Sequence, residues 1–239
     1  MNSDSNRSLQ RIVHRKWLKF RLRPIHVYCF HQVSDVFDPE TTWECDWLQT
    51  ENFKRIILEL AKNSTFLSLE EAYEHVRRDF FRRENYSVLT FDDGCSSMRD
   101  IIPWLAAQNI PVTLFVNPGV MKGEACREKA MRLLNDEELR GVIERYPSIV
   151  SIASHGYTHG DCAAISLEKF EKEVIRAEEA LAKYKNKIPY FAYPYGRHIE
   201  DTDKCLRRLN LVPVYCDGQV NYNDKKAFHR EVINNSILK

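Results

Sequence analysis

The stretch Ser87-Val88-Leu89-Thr90-Phe91-Asp92-Asp93-Gly94 runs apolar and β-branched residues straight into two carboxylates and a glycine. It reads as a buried strand ending in a sharp turn that Gly94 permits. A strand end is a rigid place from which to aim side chains at a ligand. Neighbouring residues of a regular strand face opposite ways, so Asp92 and Asp93 share one site only where strand geometry breaks. Read alone, the pair is equally an acidic turn that caps the next helix. The rest of the chain decides between the two.

On either side, short apolar runs alternate with helical patterns. Strands are expected over 25–30, 66–67, 111–116, 149–153, 190–193 and 211–215, with a last one beginning at 228–233. Helical spacing marks 52–61, a segment from Leu69 to near Phe81, a segment through Ile101, Ile102, Trp104 and Leu105, then 136–146, 166–183 and 201–209. Ser68 with Glu71 forms a capping pattern, Asn135 is the expected cap of the helix over 136–146, and Ser96 or Ser97 that of the segment through Trp104. Strands that are apolar on both faces and alternate with helices predict a parallel sheet covered by helices. About seven such units, with no Gly-x-Gly-x-x-Gly after the first strand, favour a closed barrel over an open dinucleotide-binding sheet.

The 239 residues carry 35 basic and 34 acidic side chains, a balance that gives no overall attraction to nucleic acid or membrane. Seven cysteines, an odd number with no Cys-x-x-Cys pair, read as reduced thiols. There is no apolar run of membrane-spanning length, and 1–10 is polar, so a cytoplasmic protein is expected. Residues 1–24 form a separate basic segment ahead of a catalytic domain over 25–239. Seven Arg and Lys there crowd around Trp17, Phe20 and four aliphatic residues. The segment reads either as a basic helix packed on the domain or as a surface for an anionic membrane at its inner face.

Four polar clusters fall where predicted strands stop: His31, Asp92-Asp93, His155 with His159, and Tyr193-Pro194-Tyr195-Gly196. In a barrel these ends converge on one face. Two histidines four apart can share an ion on a turn, and one carboxylate completes a two-His, one-carboxylate set with open positions. A second carboxylate beside it can take a proton from water.

These residues resemble a known family. Thr90-Phe91-Asp92-Asp93-Gly94, Ser154-His155-Gly156-Tyr157-Thr158-His159 and Phe191-Ala192-Tyr193-Pro194-Tyr195-Gly196 look like the three motifs of the polysaccharide deacetylases, carbohydrate esterase family four. The resemblance covers roughly 25–235. It implies the distorted (β/α)7 barrel of the NodB-homology type and removal of acetyl from an N-acetylated sugar. It further implies that Asp93, His155 and His159 hold a divalent metal, usually zinc, that Asp92 is the general base, and that the backbone N–H of Tyr195 faces the oxyanion.

Two positions depart from that pattern. The third motif usually begins with an Arg that tethers the base, and Ala192 stands there; Arg230 is the candidate replacement. The general acid is usually a late His, near His229. A branch of the family carries it after the first strand, and Phe30-His31-Gln32-Val33 resembles that form, so His31 is preferred over His229. Tyr28, Tyr157, Tyr193 and Tyr222 read as sugar-lining or core residues, and Trp43 with Trp47 as a clamp or as buried packing. A cytoplasmic deacetylase implies a lipid-linked or nucleotide-linked sugar of surface-polysaccharide assembly. The alternatives are a catalytically impaired carbohydrate-binding protein on the same fold, or a hydrolase of a non-sugar amide.

Overall fold

A computed structural model describes residues 23–78, 84–125, 131–223 and 226–235. The basic segment, its expected membrane contact and the end of the second helix near Phe81 fall outside these residues, save Arg23 and Pro24. In chain order the strands are β1 (Ile25–Phe30), β2 (Gln32–Ser34), β3 (Trp47–Gln49), β4 (Thr65–Phe66), β5 (Tyr86–Phe91), β6 (Val112–Val116), β7 (Val150–Ser154), β8 (Lys187–Ala192), β9 (Val212–Tyr215), β10 (Phe228–His229) and β11 (Glu231–Val232). The helices are α1 (Thr50–Ala61), α2 (Leu69–Arg78), α3 (Met98–Ala107), α4 (Pro118–Met121), α5 (Asp136–Arg145), α6 (Leu167–Leu181) and α7 (Glu200–Arg208).

The main sheet is parallel and runs β10-β9-β8-β7-β6-β5-β1-β11. Its two ends are one stretch of chain. Phe228 and His229 pair with β9, Glu231 and Val232 pair with β1, and only Arg230 lies between them. That split strand draws the sheet round into a nearly closed barrel of the distorted (β/α)7 type. The split also corrects the sequence expectation of one continuous strand beginning at Phe228. The fully buried Arg230 takes the place where a ladder pair would stand.

Strand side chains alternate between two layers. Val27, Val88, Phe115, Ala153, Ala192, Val214 and Phe228 fill the inner one. Leu89, Phe91, Leu114, Val116 and Ile152 face outward under the helices. The α5 start shows why these segments become helices. The Asn135 side chain accepts from the Glu138 N–H at 2.9 Å, and Glu138 accepts from the Asn135 N–H at 3.0 Å. Such a cap is worth about 1 kcal/mol. Ser68 and Glu71 form the same reciprocal pair at α2. Neither Ser96 nor Ser97 caps α3: Ser97 occupies the cap position in helical geometry and its side chain makes no capping bond. The small β2–β3 ladder, inside what reads as a loop after β1, is an addition to the expected set.

At the end of β5 the strand breaks as its two carboxylates require. Asp93 has φ 71° and Gly94 φ 74°. A Cβ on Gly94 would stand 2.9 Å from Val116 Cγ1. Gly94→Ala therefore adds both left-handed strain and a clash with β6. Unfolding in urea should show a loss of about 1–3 kcal/mol.

Candidate active site

All four strand-end clusters meet at the C-terminal mouth of the barrel. A cavity of about 450 Å³ there is lined by His31, Asp92, His155, His159, Tyr195 and Cys216, among others. Regular strand geometry gives way around it. Asp93, His159 and Tyr195 all have left-handed φ, at 71°, 59° and 59°. Each such residue costs of order 1–3 kcal/mol and persists only when its surroundings hold it.

Asp93 Oδ1 lies 3.2 Å from His159 Nε2 and 3.7 Å from His155 Nε2, with all three side chains buried. Donor atoms around one small cation stand about 3 to 3.5 Å apart when each bonds at about 2.1 Å. The set therefore fits a divalent cation with little movement. The second contact of His155 supports this. Its Nδ1 is 2.8 Å from the carbonyl oxygen of Ala192, which fixes the Nδ1–H tautomer and leaves the Nε2 lone pair toward Asp93. Burial, with the neighbouring His159, outweighs the nearby carboxylates and pushes the His155 imidazole down to about 4, so it is neutral at pH 7. A neutral imidazole is the form that binds metal. The carbonyl at the position where the family pattern has an arginine thus serves as the anchor of His155.

Arg230 supplies the missing guanidinium from the other side of the barrel. Its two terminal nitrogens donate to Asp92 Oδ1 at 2.6 Å and Oδ2 at 2.8 Å. Nη1 also donates to Thr90 Oγ1 at 3.1 Å, and the Thr90 hydroxyl donates in turn to the Tyr28 carbonyl at 2.8 Å. The guanidinium carbon stands 4.9 Å from the centre of the Phe115 ring, above the inner layer. Burial pushes the Asp92 carboxyl up, but the Arg230 charge, His155 and the Arg230 hydrogen bonds outweigh it and hold it at about 2. Asp92 is thus a buried, ionised carboxylate 3.8 Å from His155 Nε2.

His31 lines the cavity, whereas His229 does not; its Nδ1 is engaged by Asp217 at 2.7 Å. Burial resists protonation of His31, but the charges of Asp93, Asp92 and Asp46 prevail and raise its pKa. The aromatic expectations divide. Trp43, 44% exposed, lines the cavity. Trp47 does not; its indole N–H is bonded to Ser34 and its ring packs on Phe37. Tyr195 is 64% exposed and meets His159 ring to ring at 4.8 Å. Tyr193 lines the cavity but is buried and gives its hydroxyl to Asp203. Tyr28, Tyr157 and Tyr222 are not among the lining residues, and the Tyr157 hydroxyl is held by Glu124.

Two cysteines join the site without a sequence motif. The Cys29 thiol, fully buried, donates to Asp92 Oδ2 at 3.4 Å. Cys216 lines the cavity, and its neighbour Cys29 pulls the Cys216 thiol down to about 7. Isolated cysteines on distant strands leave no periodic trace, so only the fold brings them together.

A parallel barrel bears a buried set of two histidines and one aspartate that could hold a metal, next to a second, arginine-held carboxylate, an arrangement suited to hydrolysis. Residues 81–214, more than half of the chain, match the family model described as polysaccharide deacetylase, and the chain belongs to that family. His31 and Arg230 lie outside the matched residues. A peptidoglycan-N-acetylglucosamine deacetylase of Bacillus cereus is 26% identical over 155 residues, 63% of this chain and 50% of its own length. The chain thus spans about half of that curated relative. Among solved structures, the Streptococcus pyogenes deacetylase PplD in complex with acetate superposes with a TM-score of 0.74 at 21% identity, over 89% of this chain and 93% of that one. IcaB from Ammonifex degensii gives 0.76 at 20% identity, over 90% and 94%. Both likenesses are of fold.

Proposed function

We propose that the protein removes N-acetyl groups from an N-acetylated glycan in a reaction that depends on a divalent cation, most simply zinc. The observation that carries this is the contact of two buried sets: Asp92 clamped by Arg230, directly beside Asp93, His155 and His159. The second set would hold the cation, which supplies Lewis acidity to a water and to the amide carbonyl. Asp92, ionised and fixed in orientation by Arg230, accepts the proton of the attacking water as the C–O bond forms. The backbone N–H of Tyr195 donates to the developing oxyanion, a contribution of about 3 kcal/mol where such a donor is well placed. His31, whose pKa its acidic neighbours raise against the effect of burial, returns a proton to the departing amine.

The bond cleaved is the C–N bond of the acetamide, and acetate and the free amino sugar are the products. Cytoplasmic action on a lipid-linked or nucleotide-linked sugar of surface-polysaccharide assembly forms part of this proposal. The test strips the protein of metal, reloads it with zinc or cobalt, and measures acetate released from N-acetylglucosamine oligomers, peptidoglycan fragments and the two precursor classes. Release is expected from the loaded protein alone. His159→Ala should lose both the bound cation, read by elemental analysis, and the acetate. A stoichiometrically loaded, folded protein that is silent across the panel would overturn the reading.

A further inference from the structure

The proposed reaction leaves the two thiols beside Asp92 without a task. Cys29, at the end of β1, touches Asp92 Oδ2, and the ligand atoms of Cys29, His31 and Asp92 all lie within 4.8 Å of one another. Cys216, just after β9, neighbours Cys29 and lines the same cavity. We propose that Cys29, His31 and Asp92, with Cys216 closing the set, form a second cation site that takes zinc or another thiophilic divalent ion and shuts the active site when filled. The shutdown rests on the deacetylase reading; the site itself does not.

Three observations support the site. Cys29 Sγ and Asp92 Oδ2 are 3.4 Å apart. A tetrahedral zinc with Zn–S near about 2.3 Å and Zn–O near about 2.1 Å sets sulfur and oxygen about 3.5 Å apart. The cation therefore replaces the thiol proton of an existing contact; one proton leaves for each thiol bound, and one more leaves His31, which must bind as the neutral imidazole. Charge also closes. Asp92 and two thiolates balance a divalent ion plus the Arg230 guanidinium, so the buried group gains no net charge. Access is present as well, since His31, Asp92 and Cys216 all border the cavity. Sulfur ligation selects zinc, cadmium or cobalt over magnesium and calcium. The Asp93–His155–His159 set also favours transition ions through its two imidazoles, but it has no sulfur and so gives no thiolate signature.

Two features make the second site the weaker one. Arg230 already holds both Asp92 oxygens, and the thiols must give up their protons. Filling it removes the proposed base and the proposed acid together. Activity should therefore rise with the first equivalent of cation and fall with the second.

Cobalt distinguishes the two sites spectroscopically. The metal-free protein, kept under a phosphine reductant so that no disulfide forms, is titrated with Co2+ while absorption and acetate release are followed. The first equivalent should give only ligand-field bands. The second should add sulfur-to-cobalt charge-transfer absorption in the near ultraviolet and cut turnover about 100-fold or more. Cys29→Ser and Cys216→Ser should each lose that absorption and stay active in excess Co2+. Cys45→Ser, which removes the other thiol of the cavity, should keep both the band and the inhibition. A folded wild-type protein with no sulfur band at several equivalents overturns the proposal, as does a band that survives in either Cys29→Ser or Cys216→Ser. If no glycan is turned over at all, the band and the stoichiometry still decide the cation site, so the two failures stay distinct.

Discussion

Asp92→Asn should lower kcat for acetate release by about 10²- to 10⁴-fold while the protein still binds one equivalent of cation. The amide keeps the shape of the carboxylate but cannot take a proton. Asp93, His155 and His159 do not include Asp92, so cation uptake should survive. The change also alters the bond to Arg230. The Asn oxygen can accept one guanidinium N–H, whereas its NH2 group faces the second as donor against donor. Some stability is lost, and the rate should be compared with the folded fraction matched. Substrate contacts away from the carboxyl are unchanged, so KM should move little and the loss should appear in kcat. Steady-state kinetics with elemental analysis of the same samples reads both quantities. A rate near that of wild type removes Asp92 from the role of base. Loss of the cation instead would make Asp92 a ligand.

The sequence carried the barrel and most of the site because both depend on local pattern. Ser87 to Gly94 is legible as a buried strand that must break, and Asp93 at φ 71° is that break. His155 and His159 are legible as a pair because four-residue spacing survives a tight turn. Arg230 is a candidate only through the family resemblance, which expects a tethering arginine where Ala192 stands. What could not be read is long-range closure. The interruption of the last strand at Arg230 has no periodic signature, since two residues on each side cannot display alternation. The three-residue strands β2 and β3 fail for the same reason. Trp43 and Trp47 look alike in sequence, and only the bond of Trp47 to Ser34 separates the half-buried, tethered ring from the one at the cavity. Cys29 and Cys216 are two unpaired cysteines among seven until the curvature of the sheet brings the ends of β1 and β9 to the same cavity.

Arg230→Met should cost about 3–5 kcal/mol of stability at neutral pH and most of the turnover. Methionine fills a similar volume over Phe115, so the expected loss is mainly electrostatic: Asp92 is left as a buried carboxylate without its cation. The pH dependence identifies the cause. In the wild-type protein the Asp92 pKa is held at about 2, below its ordinary 3.8. A depressed carboxylate stabilises the fold above its unfolded pKa, and that contribution disappears as pH falls from about 4 through about 2. In Arg230→Met, burial dominates and the carboxyl rises above its unfolded value. The variant is then penalised at neutral pH and recovers as acid protonates Asp92. The stability gap between the two proteins should therefore be widest near pH of about 7 and shrink as pH falls, first through the raised pKa of the variant and then from about 4 through about 2, which urea unfolding at stepped pH will measure. A gap independent of pH would point to lost packing instead of a lost ion pair. Arg230→Lys adds the geometric half of the test. It keeps the positive charge but not the two-pronged hold on both oxygens, so stability should recover further than turnover does. If Lys restores both equally, charge alone is what Asp92 needs. If turnover stays low, the fixed orientation of the carboxylate is what Arg230 provides across the seam that closes the barrel.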